Sequence, residues 1–252
     1  MRAHHRLRLA ALAATALAAA AIAGCGGAID YSAYAAIPRS RDYAIHGVDV
    51  SKYQGDIDWS AVRSSGVRFA YIKATEGGNY VDPKFAANWA GAAAAGVPRG
   101  AYHFVYWCRP WREEAAWFEA NVPVDANALP PVLDVEATPT SRTCHAHIRK
   151  GPAVAEMRDL LREFEAHYGK KPIIYTTLDF YRAILADGDL SEYPIWVRSV
   201  KYAPKITYPD RHWDMWQYRS DGHVPGIAGR VDRSAFRGDE KQWLAFLTPP
   251  TQ

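Results

Sequence analysis

The chain has 252 residues, with 30 Lys and Arg against 27 Asp and Glu, and a pI near 8.7. Three of the basic residues lie within the first 24 positions, which contain no acidic residue, so the rest of the chain carries no net charge. This balance, without a basic stripe, argues against nucleic-acid binding. The stretch 44–247 has the length of one domain and is sufficient for a barrel core.

The N-terminus has the features of an export signal. Arg2, Arg6 and Arg8 precede an apolar run over 9–23, which is shorter than the ~20 residues that a membrane-spanning helix requires. The run ends in a sequence that resembles a bacterial lipobox, where cleavage before Cys25 leaves this residue as a lipid-modified N-terminus. An ordinary secretory signal, with the cysteine incidental, is the alternative. The scarcity of cysteine, three in the whole chain, favours lipidation.

We therefore expect four segments: a lipoprotein signal peptide at 1–24, a tether at 25–43, the folded domain at 44–247 and a tail at 248–252. The tether is assigned because its apolar residues show little periodicity. The expected location is the cell envelope, outside the cytoplasm, and the outer membrane if the host has one. The membrane is then a partner through the lipid on Cys25, and we expect the domain to act as a monomer.

Apolar runs alternate with helical stretches through most of the domain. The predicted strands, each with the helix that follows it, are 45–50 with 59–64, 67–73 with 83–95, 97–106 with 110–121, 131–136 with 154–168, and 172–176 with 178–185. Three further strands, joined by loops, are predicted at 193–200, 213–218 and 228–231. Five strand–helix units followed by three strands give eight strands, which are enough to close an α/β barrel in a single domain.

Two carboxylates stand two residues apart where the fourth predicted strand ends, at Asp134 and Glu136. Side chains at i and i+2 of a strand point to the same face. Two carboxylates in one small volume do not both ionise easily, so one tends to keep its proton. A protonated acid beside an ionised carboxylate is what glycosidic bond cleavage requires. The alternative, for an isolated pair, is a solvated acidic loop.

The predicted topology groups two further acidic residues with this pair. Catalytic groups of α/β barrels lie at the C-terminal ends of the strands. Asp49 ends the first predicted strand, and Asp232 follows the last. Because the first and last strands are neighbours in a closed barrel, and the fourth lies across the mouth, we expect all four acidic residues to line one pocket.

The two remaining cysteines, Cys108 and Cys144, each follow a predicted strand end in a chain expected to reach an oxidising space. If both loops lie on the same face of the barrel, a disulfide joins them; two free buried thiols are the alternative. His145 and His147 stand without a second group of ligands, so we expect neither a metal site nor a cofactor.

Seven short motifs follow one another along the domain, at Gly47–Gly55, Ile57–Trp59, Lys73–Gly77, Gly100–Phe104, Leu133–Glu136, Trp213–Tyr218 and Val231–Asp232. Together and in this order they resemble glycoside hydrolase family 25, the bacterial and phage N-acetylmuramidases (lysozymes). The resemblance covers nearly the whole domain. It implies a TIM-like (β/α)5(β)3 barrel, in agreement with the alternation of strands and helices described above.

The resemblance also implies roles for individual residues. Glu136 would be the general acid and base, and the other members of the acidic ring would be Asp49, Asp134 and Asp232. The expected substrate contacts are Tyr102, Tyr175, Trp196, Trp216 and Gln217. Core packing is the alternative for the tryptophans. The chain departs from the family pattern at Arg198-Ser199, where smaller residues are usual, and at Arg233, where asparagine is frequent.

The predicted function is hydrolysis of the β-1,4 bond between N-acetylmuramic acid and N-acetylglucosamine in peptidoglycan, with net retention. Asp134 would either attack directly or orient the substrate's 2-acetamido group as an internal nucleophile. The second route is favoured because Asp134 and Glu136 share one strand and approach the sugar from similar directions. Two other functions stay open: a catalytically silent peptidoglycan-binding lipoprotein, and a barrel hydrolase of chitin-like polymers.

Overall fold

The structure of the protein is a computed structural model, and it describes residues 37–138, 144 and 147–247. The predicted signal peptide, the lipidation site at Cys25, most of the predicted tether and the tail at 248–252 lie outside these residues. Within the part that is described, no helix is both long and apolar enough to cross a membrane.

Eight strands close into a barrel, which confirms the predicted α/β fold. The strands, in chain order, are β1 (Ile45–Val50), β2 (Phe69–Glu76), β3 (Tyr80–Val81), β4 (Arg99–Phe104), β5 (Val132–Val135), β6 (Ile173–Thr176), β7 (Ile195–Arg198), β8 (Met215–Gly222) and β9 (Val231–Phe236). The short β3 pairs only with β2 and stands outside the ring. All pairs in the ring are parallel except those of β9, which runs antiparallel to both β8 and β1.

Helices follow the first five strands of the ring, as the alternation predicts. They are α1 (Trp59–Ser64), α2 (Phe85–Ala94), α3 (Trp111–Asn121), α4 (Lys150–Tyr168) and α5 (Leu178–Phe180), the last continued by a π-helical turn at Tyr181–Leu185; α6 (Pro204–Thr207) and α7 (Glu240–Leu247) come later. Single 3₁₀ turns lie at Ser40–Asp42 and Lys52–Gln54. The sequence pattern did not predict β3, α6 or α7.

The longest helix, α4, shows why these segments are helical. Met157, Leu160 and Phe164 recur at helical spacing and are fully buried against the barrel. The helix ends at Gly169, which has φ +66°, a left-handed conformation that glycine adopts without steric cost. One apolar stripe and one C-terminal glycine are therefore sufficient to define this helix and its docking face.

The last strand differs from its prediction in position, and it runs antiparallel to both of its neighbours. It was predicted at 228–231 with Asp232 after it, whereas β9 covers Val231–Phe236 and Asp232 is its second residue. The inward-facing positions of β9 include the polar residues Asp232 and Ser234, so the strand lacks the apolar alternation that would have marked it. Because β9 is antiparallel, its N-terminal end reaches the same barrel mouth as the C-terminal ends of the other strands.

The barrel interior is packed with large side chains below its mouth. Phe69, Tyr71 and Trp196 are buried there, with the rings of Tyr71 and Trp196 centred 5.2 Å apart. The opposite end of the barrel is closed by Trp243 of α7, whose ring centroid lies 5.3 Å from that of Phe69 and 5.2 Å from that of Phe236. The barrel interior below the mouth is therefore a packed aromatic core.

Two glycines create the space for these aromatic rings. A Cβ atom on Gly47 would lie 2.3 Å from the Phe69 ring, and one on Gly100 would lie 2.3 Å from the Tyr71 ring and 3.0 Å from Leu129. Real contacts of this kind do not occur, so the rings or the strands would have to move. Both glycines belong to motifs of the family resemblance, and the structure gives them a packing role.

Gly100→Ala should therefore destabilise the fold by about 1–3 kcal/mol, the usual cost of overpacking a core. The matched control is Gly151→Ala in α4, where nothing lies within 4 Å of the added atom and alanine favours the helix. Urea unfolding followed by circular dichroism measures both. A Gly100→Ala variant as stable as the control would contradict this account of the core.

Candidate active site

A cavity of about 390 Å³ opens at the mouth of the barrel. Each of the eight strands of the ring contributes at least one polar or charged side chain to it. Inward-facing residues, one from each strand in chain order, are Asp49, Lys73, Tyr102, Asp134, Tyr175, Arg198, Gln217 and Asp232. Glu136, one residue beyond β5, also lines the cavity. The mouth of the barrel is thus a ring of polar groups above an apolar interior.

The structure brings all four predicted acidic residues together. Asp49 of β1 and Asp232 of β9 are directly opposite each other in the antiparallel ladder, which places their Cβ atoms roughly 4.5–5.5 Å apart. Asp134 of β5 and the following Glu136 line the same cavity. Asp232 lines the cavity with the other three, but it is the second residue of β9, whereas the sequence predicted that it follows the last strand.

Burial and mutual repulsion hold protons on these carboxyl groups. Burial raises the pKa of Asp134 well above its usual value, and the nearby Glu136 raises it further. Burial does the same to the pKa of Asp49, with Asp232 adding to the effect. The pKa of Asp232 rises to about 6, again through burial. Loss of solvation and like charges both disfavour the ionised forms, so the site holds an acid that is still protonated near neutral pH.

The carboxyl groups of Asp134 and Glu136 interact directly through a hydrogen bond. Burial also raises the pKa of Glu136, while its hydrogen bond with Asp134 and the charges of Arg198 and Lys73 lower it. The Oδ1 atom of Asp134 is buried and has no hydrogen-bond partner among the described residues. The Trp107 indole N–H donates to the Glu136 carbonyl oxygen at 2.8 Å. This bond fixes the backbone at Glu136, although the residue lies beyond the strand.

Asp49 is held by a short hydrogen-bond relay. The Tyr175 hydroxyl donates to Oε1 of Gln217 at 3.0 Å, and Nε2 of Gln217 donates to both carboxylate oxygens of Asp49 at 3.1 Å. The first bond determines which way the glutamine amide points, because only the amide nitrogen can then face Asp49. Gln217, predicted as a substrate contact, lies in the cavity, but its amide is already used to orient Asp49.

The two predicted tryptophans lie on opposite faces of the sheet. Trp196 is inward-facing, lines the cavity and donates its indole N–H to Ser234 Oγ at 3.1 Å. Trp216 faces outward and does not line the cavity; its indole N–H donates to the Ser199 carbonyl oxygen at 2.8 Å, and its ring contacts that of Tyr43. Trp216 therefore packs in the core, which was the alternative to a substrate contact for these two tryptophans. Inward-facing Tyr102 lies in the cavity, as predicted from the resemblance.

Several cavity residues were not predicted as contacts. Tyr53 follows β1 and is 79% exposed beside the cavity, an unusual exposure for a large aromatic side chain. Tyr53 belongs to the first family motif, and this position could have identified it as a cavity residue from the sequence. Lys73 and Arg198 also line the cavity. Arg233, noted with Arg198 as a departure from the family pattern, follows inward-facing Asp232 and is not among the lining residues.

A disulfide links two segments near Glu136. Cys108 and Cys144 are bonded, with their Cα atoms 5.6 Å apart, so the disulfide alternative applies and the free-thiol alternative does not. A bridge across 36 positions stabilises the fold by about 4 kcal/mol on the chain-entropy model. The bond joins the loop after β4, next to Trp107, to the segment that follows Glu136. It therefore closes a covalent loop that contains Glu136.

A closed barrel with buried carboxyl groups of raised pKa at its mouth is typical of a glycoside hydrolase. Residues 48–227 match the family model described as Glycosyl hydrolases family 25. Lysozyme M1 of Streptomyces globisporus is 38% identical over 216 aligned positions, and the match covers 80% of this chain and 71% of that protein. The chain belongs to glycosyl hydrolase family 25 and is a glycoside hydrolase.

Solved structures agree with this assignment. A family 25 glycosyl hydrolase from Bacillus anthracis has a TM-score of 0.76 and 35% identity, covering 84% of this chain and 97% of that one. A bacterial lysozyme from Streptomyces coelicolor has a TM-score of 0.74 and 34% identity, covering 82% and 99%. The fold predicted from the alternation of strands and helices is thus also the fold of the relatives.

Asp232→Asn should stabilise the protein at neutral pH. Since burial raises the pKa of Asp232 from 3.8 to about 6, the folded state keeps this proton to a higher pH than the unfolded chain. The resulting stability is complete below about pH 4 and is lost as the pH rises to about 6. The variant has no such loss, so its Tm should match that of the wild type near pH 4 and exceed it above pH 6.

Calorimetry across this pH range measures both Tm values. The control is Asp56→Asn, because the hydrogen bond from Lys84 lowers the pKa of Asp56 and reverses the sign of its contribution. This control should show no gain at neutral pH. An Asp232→Asn variant without a gain at pH 7 would mean that burial does not penalise this carboxylate.

Proposed function

We propose that the protein is a muramidase that hydrolyses the β-1,4 bond between N-acetylmuramic acid and N-acetylglucosamine in peptidoglycan. The observation that carries the proposal is the pair Asp134–Glu136, raised in pKa by burial, in the cavity that Asp49 and Asp232 also line. Membership of family 25 supports it, as do relatives that are named lysozyme or N,O-diacetylmuramidase.

In this proposal Glu136 protonates the oxygen of the leaving sugar and later activates water. Protonation of a poor leaving group by a positioned acid contributes about 10²–10⁴-fold to the rate. Burial keeps the acid protonated, while the charges of Arg198 and Lys73 limit how far its pKa rises. The proton therefore remains available for transfer. The hydrogen bond from the Trp107 indole to the Glu136 carbonyl oxygen keeps the acid beside the scissile bond.

Asp134 orients the substrate's 2-acetamido group, which attacks the anomeric carbon from within the sugar. The unpartnered Oδ1 of Asp134 offers an acceptor for the acetamido N–H. A hydrogen bond donated to the carboxylate favours its ionised form, so substrate binding moves the pair's proton toward Glu136. Reaction through an internal nucleophile, as with direct attack by Asp134, gives net retention.

The remaining alternatives are less well supported. A silent peptidoglycan-binding lipoprotein has no need for a buried acid pair, because burying carboxyl groups without function lowers stability. A hydrolase of chitin-like polymers would use the same pair and differs only in the substrate. The comparison of purified peptidoglycan with chitin oligomers therefore separates all three functions.

Glu136→Gln should retain the fold and lose hydrolysis of peptidoglycan by at least 10²–10⁴-fold, because the amide is nearly isosteric but has no acidic proton. The measurement is release of reducing ends from purified peptidoglycan and from chitin oligomers. The control is Glu156→Gln in α4, since burial also raises the pKa of Glu156, to about 7, but this side chain does not line the cavity. The control should retain activity.

Three results would contradict the proposal. Wild-type turnover in a folded Glu136→Gln variant would exclude Glu136 as the acid. Wild-type activity on chitin alone would favour the chitin hydrolase. No release from either polymer, with binding to peptidoglycan retained, would favour the silent binding protein.

We also propose that the enzyme is exported and anchored by lipid at Cys25, reaching the outer membrane if the host has one, and that it acts as a monomer. The lipobox-like sequence before Cys25 supports the anchor. Cys25→Ala should release the protein from the membrane fraction or block its maturation, because the lipid attaches through the thiol. Mass spectrometry of the mature N-terminus measures this directly. An unacylated N-terminus at another residue would refute the anchor.

A further inference from the structure

Arg198 lies in the acidic mouth of the barrel, and its guanidinium group is available to bind a ligand. It is the last residue of β7, two positions after inward-facing Trp196, so its side chain lines the cavity. Its backbone is fixed, because the Tyr208 hydroxyl donates to its carbonyl oxygen at 2.8 Å. Its charge lowers the pKa of Glu136 and of Asp232, but no hydrogen bond or ion pair between described side chains holds its guanidinium.

Lys73, which also lines the cavity, differs from Arg198 in this respect. Its ammonium forms an ion pair with Glu76 and lies 4.9 Å from the centroid of the Phe104 ring. The Tyr106 hydroxyl donates to the same glutamate. The ammonium group of Lys73 is therefore already paired with protein groups, whereas the guanidinium group of Arg198 is available to bind a ligand.

An anionic ligand would need such a group. The carboxyl groups of Asp49, Asp134, Glu136 and Asp232 line the cavity, and any of them that is ionised repels a further anion strongly where solvent is partly excluded. A guanidinium presents a rigid fork of N–H donors that matches a carboxylate with two parallel hydrogen bonds. A neutral glycan requires no such counter-charge. The cation at the end of β7 therefore fits a substrate that carries carboxylates.

We propose that Arg198 is a specificity-determining residue that binds a carboxylate of the glycan substrate. The inference rests on the proposed muramidase function, because muramic acid carries a lactyl ether that ends in a carboxyl group. This group is a free carboxylate where the stem peptide is absent, and it is an amide where the peptide is attached. In the second case the carboxylates of the peptide itself offer the same chemistry.

The test measures binding rather than turnover, in the Glu136→Gln background. Three ligands are titrated by calorimetry: muramyl oligosaccharides with free lactyl carboxylates, the same oligosaccharides with these groups converted to N-methylamides, and peptide-bearing oligosaccharides. Adding Arg198→Ala should weaken binding of a carboxylate ligand about 10- to 100-fold, as expected for a hydrogen bond to a charged group. Binding of the N-methylamide should change by less than about twofold.

Two further variants sharpen the test. Arg198→Lys keeps the charge and loses the fork, so its affinity should lie between those of the wild-type residue and alanine. Arg63→Ala removes an exposed arginine of α1 that does not line the cavity and should change nothing. Loss confined to the free lactyl ligand identifies the lactyl carboxylate, and loss confined to the peptide-bearing ligand identifies the peptide.

The proposal is overturned if Arg198→Ala weakens the free and amidated oligosaccharides equally, since the arginine would then act only through the catalytic acids or the fold. It is equally overturned if none of the three affinities changes. Hydrolysis of the same ligands by the wild-type enzyme is followed in parallel. Binding that depends on Arg198 without any hydrolysis would refute the muramidase function and leave the role of Arg198 intact.

Discussion

When eight strands close into a ring, every second residue of each strand must face one interior of limited volume. In this barrel the lower positions are filled by aromatic rings, and the uppermost inward positions carry polar groups. The site draws on strands from β1 to β9, so residues as far apart in the chain as Asp49 and Asp232 become direct neighbours. Ring closure therefore creates the site, and no local segment contains it.

Concentrating carboxyl groups at one mouth lowers the stability of the folded state, and the rest of the structure offsets this cost. Gly47 and Gly100 leave space for the aromatic rings of the interior. These rings bury apolar surface directly beneath the site, and this burial stabilises the fold. The Cys108–Cys144 bond limits the freedom of the unfolded chain. A rigid scaffold is what allows a repulsive cluster to persist, as is usual at functional sites.

A buried pair of side chains on the outer face of the barrel helps to hold Glu136 in place. On the outer face of β4, Nε2 of His103 lies 2.7 Å from the Glu114 carboxyl group, and Thr75 Oγ1 lies 2.7 Å from the other ring nitrogen. Burial lowers the pKa of His103 to about 3 and raises that of Glu114 to about 8, so the pair is neutral near pH 7. Glu114 also accepts the backbone N–H of Tyr106. The buried pair thus fixes the segment that carries Trp107 and, through it, Glu136.

The sequence by itself determined the alternation of strands and helices and the pair Asp134–Glu136, because both depend on local spacing. It also determined which residues match the family motifs, and hence the likeness to family 25. The amphipathic pattern of α4 predicted a docking face that the structure shows. These features are encoded within a few neighbouring residues, so they can be read without knowledge of the fold.

Only the tertiary structure decided which of the candidate residues meet. Trp196 and Trp216 are the same residue type on neighbouring strands, yet one lines the cavity and the other packs outside it. Both faces of a barrel strand are buried, so apolar character does not reveal which residues point inward. The direction of β9, and with it the origin of Asp232, follows from pairing with β1 and β8. Strand register and direction are long-range properties, set by closure of the ring rather than by the residues of any one strand.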